Sequence, residues 1–125
     1  MARSAGGSRL GARADLEALL LASLEAVKEL IRRWGEGRRW SISVRRVVEL
    51  TGVGNVPGRT TAGIALSKLE RMGYLVRLNG GRARKKYAPT SLGLAWARAC
   101  ELGRCRGCTL RMCPYRALLW VGFDR

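Results

Sequence analysis

Cys100, Cys105, Cys108 and Cys113 fall within one fourteen-residue segment, and this 125-residue chain has no other cysteine. The spacing is C-x4-C-x2-C-x4-C. Soft thiolates in such a set suit zinc or an iron–sulfur centre. The Cys105-x2-Cys108 pair puts two sulfurs on one turn, and Cys100 and Cys113 close the site from either side. A zinc ribbon pairs two CxxC knuckles across a dozen or more residues. A compact single-segment spacing is instead the habit of iron–sulfur loops, where a proline after the last cysteine, here Pro114, is common. A 4Fe–4S cluster is therefore the expected cofactor, with zinc as the runner-up; two disulfides or free thiols are the remaining readings. Four thiolates also suit a 2Fe–2S cluster, so nuclearity stays open. Arg104, Arg106 and Arg111 would offset the charge of the thiolates. Tyr115, Leu118, Leu119, Trp120 and Phe123 would form an apolar lid and a partner-binding surface.

Other chemistry is poorly provided for. The chain has no histidine, so imidazole acid–base catalysis and a mixed cysteine–histidine zinc site are excluded. Nine acidic residues are scattered singly, giving no paired carboxylate or nucleophile–base set. The expectation is a protein that is not an enzyme.

Charge points towards nucleic acid. The net charge is +15, from 24 Lys+Arg against 9 Asp+Glu. Twenty of those cations are arginine, which grips phosphate bidentately and stays charged. A solvated, arginine-biased surface is the bland alternative. Glutamine is absent and asparagine occurs twice, a scarcity of thermolabile amides that hints at a hot habitat. The basic N-terminus lacks the apolar core of a signal peptide, and no apolar run is long enough to span a bilayer. A cytoplasmic, nucleoid-associated protein is expected.

The elements that must position these groups read as follows. Residues 1–14 are rich in Gly, Ser, Arg and Ala and are expected to form a flexible basic tail. Asp15 is a suitable N-cap for a helix to about Trp34, with Leu16, Leu20, Leu24, Val27, Ile31 and Trp34 on one face. Gly35 and Gly37 end it. Trp40 to Ser43 alternates like a short strand, and Ser43 caps a second helix that holds Val44, Val47, Val48 and Leu50 and stops at Thr51-Gly52. Val53 to Gly58 reads as turn throughout. Thr60 or Thr61 opens a third helix to about Met72, with Ala62, Ala65, Leu66, Leu69 and Met72 inward. Gly73 follows. Tyr74 to Leu78 is a strand, Asn79-Gly80-Gly81 a hairpin turn, and Tyr87-Ala88 the return strand. Thr90 or Ser91 caps a last helix leading to Cys100.

This order predicts an α+β, mostly helical chain: a winged helix–turn–helix over 15–97 followed by a small four-cysteine metal-binding module over 98–125. In such a fold the third helix faces the major groove. Its outer side carries Thr60, Ile64, Ser67 and Arg71, flanked by Arg59 and Lys68. Arg82, Arg84, Lys85 and Lys86 form a basic hairpin tip, and Arg77 adds to the phosphate-binding capacity. That set is rich in phosphate ligands and poor in base readers, having no Asn or Gln for adenine. Ile64 suits a thymine methyl or a partner protein.

A winged helix followed directly by a compact cysteine cluster resembles the beta subunit of archaeal transcription factor E. That family is related to the winged-helix iron–sulfur subunit of RNA polymerase III. The resemblance spans about residues 38–123 and is most specific over CRGCTLRMCPYRALLW. It implies a 4Fe–4S cluster held by Cys100, Cys105, Cys108 and Cys113. It also implies a heterodimer with a second initiation-factor subunit, docking on RNA polymerase, and help in melting promoter DNA. The eukaryotic relatives place their fourth cysteine downstream of the CxxC, whereas Cys100 lies upstream. A redox- or iron-sensing winged-helix repressor is the alternative; it would require sequence-specific binding that switches with cluster state.

Overall fold

Leucine, alanine and arginine dominate the first third of the chain, and they build much of its longest element. In the computed structural model, which describes residues 8–80, 84–99 and 113–115, helix α1 runs from Ser8 to Gly35. It starts at Ser8 rather than at the expected Asp15 cap, so it takes in residues 8–14 of the expected flexible tail. Leu, Ala and Arg in that stretch are all good helix formers and extend the helix backwards. Leu24, Val27, Leu30 and Ile31 are buried, at the three- and four-residue spacing of one helix face. The stripe is narrower than its sequence suggests: Leu16 is half exposed, because the packed core reaches only to Leu20 and Leu21.

The end of α1 is a Schellman motif. Arg38 N–H donates to the Arg33 carbonyl at 2.9 Å and Gly37 N–H to that of Trp34 at 3.0 Å. Of the expected strand Trp40 to Ser43, only Ile42 pairs, in a single antiparallel bridge to Tyr87. Helix α2 follows immediately (Val44–Thr51), which leaves no room for a longer strand. Ser43 Oγ caps it by accepting from Arg46 N–H at 3.3 Å. Val47 is buried in α2, whereas Leu50 is exposed.

Helix α3 spans Val56–Arg71 and so begins ahead of Thr60. The supposed turn is its first turn: Asn55 Oδ1 accepts from Gly58 N–H at 3.0 Å, and Pro57 sits where its missing N–H costs nothing. Ala62, Ala65, Leu66 and Leu69 are buried, as their periodicity predicts. Its end is a second Schellman turn, with Gly73 at φ +86, a conformation costly for any side chain.

Strands β1 (Leu75–Arg77) and β2 (Tyr87–Pro89) pair antiparallel, with Leu75 opposite Pro89 and Arg77 opposite Tyr87. Their connection is longer than a tight Asn-Gly turn. Asn79 holds its base, the side chain donating to the Arg84 carbonyl and accepting from Lys86 N–H at 3.0 Å. Helix α4 (Ser91–Ala99) is capped by Thr90, whose Oγ1 accepts from Gly93 N–H at 3.1 Å and donates to the Gly73 carbonyl at 2.6 Å.

Helix α1 packs against α2, α3 and α4, and the hairpin closes one side. Tyr74, Tyr87 and Trp96 are the largest buried side chains with Tyr115. Tyr74 and Trp96 meet edge to face at 5.5 Å. Among the described residues a polar contact joins two helices in this interior: Ser23 of α1 donates to Thr61 of α3 at 3.4 Å, and Thr61 donates to the Gly58 carbonyl at 3.0 Å. The described chain is thus mostly helical with a small two-stranded sheet. None of its described helices is long and apolar enough to cross a membrane.

Candidate nucleic-acid interface and the cysteine segment

Among the described residues, Lys28, Arg32 and Arg33 of α1 and Arg45 and Arg46 of α2 are matched by carboxylates about one turn away. Arg32 pairs with Glu29 and with Glu36 (3.2 Å), Arg33 with Glu29 at 2.9 Å, Lys28 with Glu25 at 3.4 Å, and Arg45 and Arg46 with Glu49 at 3.6 and 3.5 Å. The Arg32 hydrogen bond holds the Glu29 carboxyl below the ordinary carboxylate range, partly opposed by burial.

From Thr51 to Cys100 the sequence offers a single carboxylate, Glu70. Among the described residues none of Arg59, Lys68, Arg71, Arg84, Lys85 or Lys86 pairs with a carboxylate, and all six are exposed. Thr60 is also exposed, Ser67 half-buried, and Ile64 is 42% exposed. The α3 residues recur at helical spacing, so Thr60, Ile64, Ser67 or Lys68, and Arg71 lie along one outward stripe. The hairpin, joined to α3 by the Met72–Tyr74 turn, carries Arg84, Lys85 and Lys86. Arg77, half-buried, points its guanidinium partly inward. Arg82 lies outside the described residues. The surface can neutralise phosphates along a backbone and offers little to read base edges.

Trp40 is a surface residue that its sequence context does not mark out. It is 52% exposed and carries the Arg46 guanidinium over its ring at 5.0 Å. The adjacent Arg38-Arg39 pair is the available signal, hidden because Trp40 reads as the start of a strand.

Of the four cysteines only Cys113 is described; Cys100, Cys105 and Cys108 lie outside the described residues, as do Leu118, Leu119, Trp120 and Phe123. Cys113 is buried as a free thiol within the main core. Tyr115, expected to face a partner, is instead 2% exposed. Its ring packs on Trp96 at 5.8 Å and lies under the Lys28 ammonium at 5.1 Å, while its hydroxyl donates to Glu25. An aromatic ring held this way in the interior is an anchor for the segment that carries it, not an exposed docking group. Beside it, the Trp96 indole N–H is buried with no hydrogen-bond acceptor among the described residues. Such a donor is costly to leave unmatched.

Comparison of the chain with family models, curated proteins and solved structures finds no match.

Proposed function

We propose that this chain is a non-enzymatic winged-helix protein that binds the backbone of duplex DNA through α3 and the β1–β2 hairpin. Its C-terminal cysteine segment would hold a 4Fe–4S cluster. One observation carries the reading: among the described residues the exposed cations of α3 and the hairpin loop have no carboxylate partners, whereas those of α1 and α2 do. The element order supports it, with Ile42 adding a third short pairing to the hairpin, as a winged helix requires. The lack of base-reading side chains favours a general factor over an operator-specific repressor. By its resemblance the setting would be basal transcription initiation, with RNA polymerase and a second factor subunit as partners.

Two features suit a thiolate-ligated cluster. Cys113 is already withdrawn from solvent, and the unmatched Trp96 N–H is the kind of donor that cluster sulfurs accept. Cys100, Cys105, Cys108 and Cys113 would be the ligands. With all four positions taken by protein thiolates, the group would supply structure or electron transfer rather than substrate binding.

The test compares two double neutralisations of the full, anaerobically purified chain. Lys85→Gln with Lys86→Gln is expected to lower the slope of log affinity against log salt for duplex DNA by about 2, roughly one unit for each phosphate no longer neutralised. Arg32→Gln with Arg33→Gln, which removes the same charge from α1, is expected to leave that slope nearly unchanged. Equal effects from both pairs would reduce the binding to bulk charge and end the proposal.

A further inference from the structure

We infer that Trp40, with Arg38, Arg39, Arg45 and Arg46 around it, is a stacking site for an unpaired base of single-stranded nucleic acid. This surface is separate from the one proposed to hold duplex DNA. Ile42 pairs antiparallel with Tyr87, so the chain runs from Trp40 towards the hairpin loop, and Trp40 lies at the opposite end of that pairing. The basic loop residues Arg84 to Lys86 are therefore at the far end of the sheet.

The chemistry follows from what surrounds the ring. Trp40 is 52% exposed, a large apolar surface left in water. The Arg46 guanidinium lies over the ring at 5.0 Å, and the two residues just before Trp40 in the chain, Arg38 and Arg39, are exposed cations, as is Arg45 beside Arg46. An apolar protein-docking patch would be ringed differently, with hydrophobic neighbours and few charges at its centre. Arg38 and Arg39 pair with no carboxylate among the described residues. Arg45 and Arg46 share Glu49 at 3.6 and 3.5 Å, long exposed contacts that a phosphate can displace.

The backbone on either side of the indole is held: Ser43 caps α2 at the Arg46 N–H, and Ile42, two residues from Trp40, is buried. An indole has only two side-chain torsions to order on binding. A duplex cannot use it, because its bases are already stacked on one another. An unpaired base can, with the neighbouring phosphates reaching the arginines; base–aromatic stacking needs no particular sequence.

The experiment measures binding of the full chain and its Trp40→Ala variant to three probes: an oligothymidylate, an abasic oligomer of equal length, and duplex DNA. Trp40 is exposed, so the variant keeps its fold, which circular dichroism checks. Trp40→Ala is expected to weaken oligothymidylate binding about tenfold, with the abasic oligomer and the duplex unaffected, and Trp40→Phe is expected to recover part of the loss. Unchanged oligothymidylate affinity in Trp40→Ala would overturn the inference. So would an equal loss on the abasic oligomer, which would make the patch a backbone site. Competition by polyglutamate that depends on Trp40 as strongly as oligothymidylate does would assign the patch to an acidic protein segment instead. Duplex binding is read separately, so failure here leaves the α3–hairpin proposal standing, and the reverse.

Discussion

At Gly93 two effects of known size oppose each other. It lies inside α4, where replacing glycine by alanine ordinarily stabilises a helix by about 1 kcal/mol. Here a methyl group would come 2.1 Å from the Tyr74 carbonyl oxygen and 3.5 Å from the Pro89 side chain. That oxygen belongs to backbone between α3 and β1 and cannot swing away as a side chain would. Thr90 fastens the same junction from the other side through the Gly73 carbonyl. Overpacking costs about 1–3 kcal/mol, and a 2.1 Å approach to fixed backbone falls at the upper end of that range, so the steric term exceeds the helix term. Gly93→Ala is expected to lower stability by about 1–2 kcal/mol in a urea titration; a gain in midpoint would mean that α4 stands further from β1 than this contact requires. Tyr115 teaches the same lesson about reach. As an aromatic residue near a basic chain end it looks like a docking group, and its anchor partner Glu25 is ninety residues away. No local pattern announces a contact of that separation.

Among the elements, those with chemical end signals were legible. Ser43, Thr90, Gly52 and Gly73 sit where caps and left-handed turns are needed, and the helices they bound begin and end there. The start of α3 is concealed in the sequence because proline and glycine at 57 and 58 suggest a turn, while the same residues serve an N-capped first turn. The hairpin was located by its strands, but Asn79 closes a longer loop with its side chain, which the Asn-Gly pair alone conceals. The basic stripe was legible because its residues repeat at helical spacing, whereas the lack of carboxylates opposite it emerged only from the fold. The hairpin also carries a pH dependence. Burial, then the nearby Glu70 carboxylate, pushes the Tyr87 phenol above the ordinary tyrosine range, against a smaller opposing pull from Arg77. Its folded pKa is raised, so the stabilisation is complete below the unfolded value of about 10 and is lost as pH climbs past it, where the unfolded chain ionises first. Tyr87→Phe is therefore expected to flatten the alkaline decline in urea midpoint while leaving the neutral value little changed. A wild-type decline that persists undiminished in Tyr87→Phe would place its origin in other groups.

For the whole molecule, residues 113–115 are tied into the helical core rather than hung from it. Cys113 and Tyr115 are in the same buried cluster as Trp96, Leu24 and Val27. Under the proposed function, one short segment then has two duties: its cysteines ligate a cluster, and its aromatic ring completes the core. Two variants separate these duties. Tyr115→Ala removes a ring packed on Trp96, a hydroxyl bonded to Glu25 and a face under Lys28, and is expected to cost about 3–5 kcal/mol. Cys105→Ser leaves those contacts in place. It is expected to lose iron and acid-labile sulfide and to abolish capture of the proposed second subunit, with the helical content of the domain retained. Chelation of the cluster from the unaltered chain is expected to act like Cys105→Ser, lowering the melting temperature by the binding free energy withdrawn from the folded state. Iron and sulfide analysis beside thermal melts of all three samples decides the matter. A colourless wild-type chain with one zinc would replace the cluster by a structural knuckle. A Cys105→Ser chain that still captures its partner would show that the cysteine segment does not form the docking surface. If Tyr115→Ala melts like the wild type, the segment is not part of the core, and its aromatic residues return to the solvent-facing role their sequence first suggested.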